Sequence, residues 1–158
     1  SIKDKSIDQI RYMLNYDMTN DPKGYHTSDA ESKELFESIG NIAKQLDTSF
    51  KNTFSVGAGL HSDHQPFMLH GVPTGGGAGG SLPKGAGPCY HADCDVFSLV
   101  EDKGMRNTVR FNTMLVYGVA DSKELKAKHF TDEETRLFLI NNNLQEPLTI
   151  AGEWRWKN

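Results

Sequence analysis

Leu35, Phe36, Ile39, Ile42, Ala43, Leu46 and Phe50 recur at intervals of three and four residues, so they share one side of a helix and leave the other side to charged and amide groups. Ser28, with Glu31 three residues later, reads as a capping box that opens this helix, giving a span of 29–50. Runs of strand formers stand on either side: Ile10-Arg11-Tyr12-Met13-Leu14-Asn15-Tyr16 before it, and Thr53-Phe54-Ser55-Val56-Gly57-Ala58-Gly59 after it. A strand, an amphipathic helix and a second strand bring the chain back in its original direction. The spacing therefore predicts an α/β fold, with a mainly parallel sheet flanked by amphipathic helices.

The rest of the chain reads in the same terms. Asp17 closes the first strand, and Thr19-Asn20-Asp21-Pro22-Lys23-Gly24 is loop chemistry. A short helix over 64–70 starts around Pro66, and Gly71-Val72-Pro73-Thr74 reads as a short buried strand. Residues 75–88, rich in glycine and proline, read as an irregular surface loop. Met105, Val109, Leu115, Val116 and Val119 mark a second long helix over 104–121, and Thr131-Asp132-Glu133-Glu134 caps a last one. Both tryptophans, Trp154 and Trp156, sit in the tail, which is expected to dock on the body. The expected organisation is one domain over 1–158, with a C-terminal helix and tail over 122–158 packed on it.

A chain of 158 residues with 37% hydrophobic content has material for one ordinary core. Its 17 basic residues are scattered and its net charge is −4. That distribution provides no electrostatic footprint for nucleic acid or an anionic membrane, and peptides or small molecules are the expected partners. No run of eighteen apolar residues offers a membrane-spanning helix. The start, Ser1-Ile2-Lys3-Asp4-Lys5, has neither an initiator Met nor the apolar region of a targeting segment. These features set up the expectation that the sequence is part of a longer protein. The only cysteines, Cys89 and Cys94, flank Tyr90 and His91; they read either as a small loop disulfide of an oxidising compartment or as two reduced thiols.

Asp17, the cluster His61-Ser62-Asp63-His64 and the loop around His91 all follow expected strands. Ligands of such sheets gather at the carboxyl ends of strands, so the three segments are expected to converge at one edge. Taken alone, His91 reads as a solvated loop residue or as a metal ligand. Asp17 would supply the hard oxygen that a mixed imidazole and carboxylate zinc site uses. Asp95, four residues after His91, also reads as a turn or helix-cap residue.

Four stretches carry a resemblance: Leu14-Asn15-Tyr16-Asp17-Met18, Ser62-Asp63-His64-Gln65-Pro66-Phe67, Gly71-Val72-Pro73-Thr74, and Tyr90-His91 with Asp95. In this order, over residues 8–121, the chain resembles the dizinc aminopeptidases, family twenty-eight of the metallopeptidases, related to bacterial leucyl aminopeptidases. The resemblance implies a three-layer sandwich and a peptide substrate. It implies two zinc ions, with Asp17 on one and His91 on the other, and Tyr90 as a donor to the oxyanion of the reaction. Met18, Thr74, Gly75 and Gly76 would line the pocket for the substrate's terminal side chain. Asp63, His64 and Asp95 would hold the loops behind the ligands.

The resemblance is incomplete. The family uses five protein ligands and a glutamate base, and only the last two ligands have counterparts here. Glu133-Glu134 opens a capped helix instead of following a buried strand, and the His-x-Asp spacing of His61-Ser62-Asp63 comes after Asp17. Ala92 stands where a threonine is common in the family. The expectation is therefore the C-terminal half of a zinc exopeptidase. It would lack its N-terminal half, hold zinc weakly or not at all, be inactive alone and be prone to form a homodimer through uncovered edges. The resemblance and the two cysteines point to a periplasmic or secreted protein. A glutaminyl-cyclase-like zinc acyltransferase, which shares the fold and works with one zinc, is a second reading. A non-catalytic binding or scaffold domain is a third.

Overall fold

The computed structural model describes residues 5–123 and 125–156, so both ends of the expected 1–158 span lie outside the described residues. Four strands form one sheet in the order β1-β4-β2-β3, with β1 at Met13–Leu14, β2 at Gly24–Thr27, β3 at Thr53–Val56 and β4 at Thr74–Ala78. β1 runs parallel to β4 and β2 parallel to β3, while β4 lies antiparallel to β2. The α/β class and the mainly parallel sheet thus match the sequence reading, with one antiparallel pairing at the centre.

That pairing involves two segments read differently from sequence. Gly24 was expected to end a loop and 25–27 were assigned no element, and Gly24–Thr27 is a strand with Tyr25 and Thr27 buried. The glycine run 75–77 was expected to begin a surface loop, and it is the interior of β4. The physical reason is close approach: a Cβ on Gly75 would lie 2.6 Å from the His26 carbonyl oxygen, and one on Gly76 would lie 2.2 Å from that of Asn15. Side chains there would push the strands apart, so bare backbone fills the middle of the sheet.

Helix α1 spans Lys33–Leu46 and follows a 3₁₀ turn at Ala30–Ser32. Asp29, in place of the expected Ser28, caps that turn by accepting from the Glu31 amide at 3.2 Å. Ser28 is used elsewhere: its Oγ accepts the Thr74 amide at 2.9 Å, tying β4 to the end of β2. Helix α3, Asp102–Asp121, packs on α1, and together they cover one side of the sheet. Between them lies an aromatic core of Tyr25, Phe36, Phe50 and Phe111, joined by Ile39, Ala43, Leu115 and Val119. Ring centroids 4.6 Å apart for Phe50 and Phe111, and 5.0 Å for Tyr25 and Phe50, give tilted pairs worth about 1 kcal/mol each beyond their area.

A second core joins α2 (Gln65–Leu69), α4 (Asp132–Asn141) and α5 (Gln145–Ile150) through Met68, Leu139 and Leu148. The capping box expected at Thr131 forms with Glu134. Trp154 and Trp156 pack on this core, and Arg155 lies 4.2 Å from the Trp156 ring centre while pairing with Asp132. Among the described residues, no helix is long and apolar enough to cross a membrane.

Candidate functional site

β1 ends at Leu14, and the chain then turns through Asn15 to an exposed Asp17. The Asp17 amide donates back to Asn15 Oδ1 at 3.2 Å, a local turn of the kind short polar side chains stabilise. Beyond β3, the loop over 57–64 returns toward the same point. Ser62 Oγ donates to Asp17 Oδ2 at 2.8 Å, and Asn15 Nδ2 donates to Ser62 Oγ at 2.7 Å. Asn15 Nδ2 also reaches His64 Nδ1 at 3.2 Å, while His64 Nε2 lies 3.0 Å from the Gly59 carbonyl oxygen. An amide N–H donates to Nδ1 and a carbonyl only accepts, so the proton of the His64 ring lies on Nε2. Both its nitrogens are occupied, which makes it a strut of the loop with no free lone pair for a ligand.

The network runs in one direction, from Asn15 through Ser62 to one oxygen of Asp17, and leaves Asp17 Oδ1 free of protein hydrogen bonds among the described residues. Gly76, His26 and Ser55 form a transverse row across β4, β2 and β3, and Asn15, just past the end of β1, lies beside Gly76. Above the inner part of that row, His26, Ser55, Gly59, His64 and Thr74 border a cavity of about 300 Å³. Burial pushes the His26 imidazole below its ordinary value, against an opposing hydrogen bond that the ring donates to the Gly77 backbone, and the nearby His64 pushes it the same way as burial.

Asp17, Thr74, Gly76 and His64 are thus brought together. Met18 stands beside Asp17 with about half its surface exposed and φ of 56°. Thr74 borders the cavity, whereas Gly75 and Gly76 lie buried within β4 and do not border it. Asp63 is exposed and has no hydrogen bond or ion pair among the described residues.

The loop carrying Tyr90 and His91 is built separately. Cys89 and Cys94 are joined in a disulfide, which resolves the alternative left open by the sequence. Tyr90 and His91 are exposed, their rings 4.0 Å apart and edge to face. Asp95 contributes its amide to the Ala92 carbonyl at 2.9 Å. Among the described residues, no hydrogen bond or ion pair links this loop to Asp17 or to residues 61–64. Of the three segments expected to meet, hydrogen bonds join two, the turn at Asp17 and the loop over 61–64.

Sequence reasoning gave Asn15, Ser62 and His26 no role. The first two lay inside quoted motifs, and their signal was the short polar side chain next to each candidate ligand. His26 had a period-two neighbourhood, Tyr25 and Thr27 on one face and His26 on the other, obscured by the Pro22-Lys23-Gly24 loop signal just before it.

An α/β sheet with an oriented carboxylate and imidazoles gathered where its strands end has the layout of a ligand-binding domain. Comparison with family models gives the class: that of peptidase family M28 matches residues 1–116, and the chain belongs to that family of metallopeptidases. No curated protein and no solved structure matches it. α4 and α5 lie beyond the matched residues.

Family members are zinc-dependent. Zinc sites are closed by about four donors or keep three with one position for water. Among the described residues, no three His, Cys, Asp or Glu side chains stand together as a possible metal site. The described donors therefore do not furnish such a three-donor zinc site by themselves.

Proposed function

We propose that the chain is the part of a zinc exopeptidase, an aminopeptidase acting on peptides with apolar N-termini, that supplies the last two of its metal ligands, Asp17 and His91. The remaining ligands and the general base come from residues outside this sequence. The observation that carries this reading is the Ser62 to Asp17 hydrogen bond, because it fixes one carboxylate oxygen and turns the other outward, as a ligand aspartate requires. Tyr90 is the second functional group. Its phenol donates to the oxyanion that develops on the scissile carbonyl, a contribution on the order of 3 kcal/mol. Met18 and Thr74 border the space for the terminal side chain of the peptide. The Cys89–Cys94 disulfide supports an exported protein.

Two ligands belonging to different ions hold zinc weakly, so the chain alone is expected to be inactive. The test is hydrolysis of an aminoacyl anilide by the purified chain and by the chain joined to its upstream segment. Chelator-sensitive turnover only in the joined form is expected. Turnover by the chain alone overturns the reading, and a joined form holding a single zinc with cyclase activity turns it to the acyltransferase. The outer sides of β1 and β3 are free to pair with a second copy, and a dimer in sedimentation is expected for the chain alone.

A further inference from the structure

The segment 82–100 differs from the rest of the molecule in how it is held. None of its residues belongs to either hydrophobic core. Among the described residues, its hydrogen bonds are all internal: Ala86 to Pro83, Cys89 to Ala86, Tyr90 to Gly87, Ala92 to Cys89, Asp95 to Ala92, Leu99 to Val96 and Val100 to Phe97. No ion pair ties it to the body. Its apolar side chains face outward, Phe97 being 90% exposed. His91 nevertheless adopts φ of 57°, a left-handed conformation that is uncommon for a non-glycine residue and is visited by histidine more often than by most. The one strong constraint is covalent: the Cys89–Cys94 bridge closes a ring around Tyr90 and His91.

We propose that the Cys89–Cys94 disulfide is the clamp that presents Tyr90 and His91, and that its reduction by a dithiol releases both side chains and disables the site. The proposal rests on the reading of Tyr90 and His91 given above. In the reaction, a thiolate of the dithiol attacks one sulfur of the bridge, and the resulting mixed disulfide is resolved by the second thiol. The S–S bond of the protein breaks, a new one forms within the dithiol, and two electrons and two protons pass to Cys89 and Cys94. Both cysteines lie on an accessible surface loop, as such an exchange requires. The rest of the fold contains no other cysteine, so reduction acts on this loop alone.

The clamp has a thermodynamic signature. A bridge that closes a loop already ordered by its surroundings stabilises the fold by restricting the unfolded chain. A bridge that is the loop's sole constraint restricts folded and unfolded chains alike, and its loss leaves global stability nearly unchanged.

The test compares oxidised protein, protein reduced with dithiothreitol under nitrogen, and the C89S/C94S double variant, which needs no reductant. Amide exchange at Ala92 and Asp95, whose hydrogen bonds lie in or next to the ring, is expected to accelerate on the order of tenfold or more. Amides of α3 keep their rates and the melting temperature stays within about 2 °C. Unchanged exchange at Ala92 and Asp95 overturns the clamp. So does a fall in melting temperature of roughly 4–8 °C, the loss expected if the loop were ordered without the bridge. A zinc titration followed at the His91 ring proton separates the two layers of the argument. A response weakened on the order of tenfold in C89S/C94S supports the full proposal. Faster exchange with an equal zinc response removes the assigned role of His91 and leaves the clamp standing.

Discussion

Ser62 Oγ donates to Asp17 Oδ2 at 2.8 Å, joining the turn after β1 to the loop after β3 across 45 positions of sequence. Asn15 completes the junction by donating both to Ser62 and to His64. The geometry of the candidate ligand is thus set by two neutral side chains that have no ligand chemistry of their own.

Asn15→Asp removes the amide donor and places an acceptor against two acceptors. The expected cost is about 2 kcal/mol, because partly buried polar groups are left facing one another unpaired. Ser62→Ala, which removes the donor to the exposed Asp17 and one acceptor of the Asn15 amide, whose other bond to His64 remains, is expected to cost about 1 kcal/mol. Urea denaturation of the two variants checks the order; a larger loss for Ser62→Ala contradicts the assigned direction of the network.

His26 links stability to pH. Burial depresses its folded-state value below the ordinary 6.5, so the unfolded chain takes up the proton first as pH falls. Its contribution is therefore fully present above the unfolded value and is lost as the pH drops through 6.5 toward the folded one. His26→Gln is expected to flatten the acid side of the stability curve between about pH 7 and 5. Parallel curves for wild type and variant remove His26 from this role.

Gly76→Ala places a methyl group 2.2 Å from the Asn15 carbonyl oxygen. That oxygen is backbone and cannot swing aside, so the expected loss is about 3 kcal/mol or failure to fold. Gly85→Ala is the control for space, since no atom lies within 4 Å of the added carbon, although its φ of 83° adds strain. Thermal melts of the two variants compare them, and the larger drop belongs to Gly76→Ala.

Leu148 is fully buried in the second core. Leu148→Ala is expected to cost about 2–5 kcal/mol through lost contacts and the cavity left behind. Because that core carries α2, which follows directly on His64, the variant is also expected to speed amide exchange at Met68, whose amide bonds to the His64 carbonyl. Exchange data on the folded variant test the connection.

Much of this arrangement was legible in the sequence where side chains advertise their environment. The stripe from Leu35 to Leu46 gave α1, Thr131 with Glu134 gave the start of α4, and the strand formers around Met13 and Phe54 gave β1 and β3. The centre of the sheet was not legible, because Gly75, Gly76 and Gly77 hold their place through what they lack, and a glycine run has the composition of a loop. Ser28 misled for a related reason: a hydroxyl before a helix suits a cap, and here it serves the Thr74 amide while Asp29 takes the cap. The M28 match confirmed the kinship that the ordered motifs had suggested. The hydrogen-bonded support of Asp17 appeared only once β1 and the loop after β3 were seen side by side.

β4 is the last strand to be synthesised, and it lies between two strands made before it. A nascent chain cannot close this sheet until residue 78 has cleared the ribosome, since only then do β1 and the β2–β3 pair acquire their common neighbour. Everything from β1 to β4 must emerge before that moment, and the waiting time, set by translation at about 5–20 residues per second, amounts to several seconds in which a holding chaperone has its opportunity.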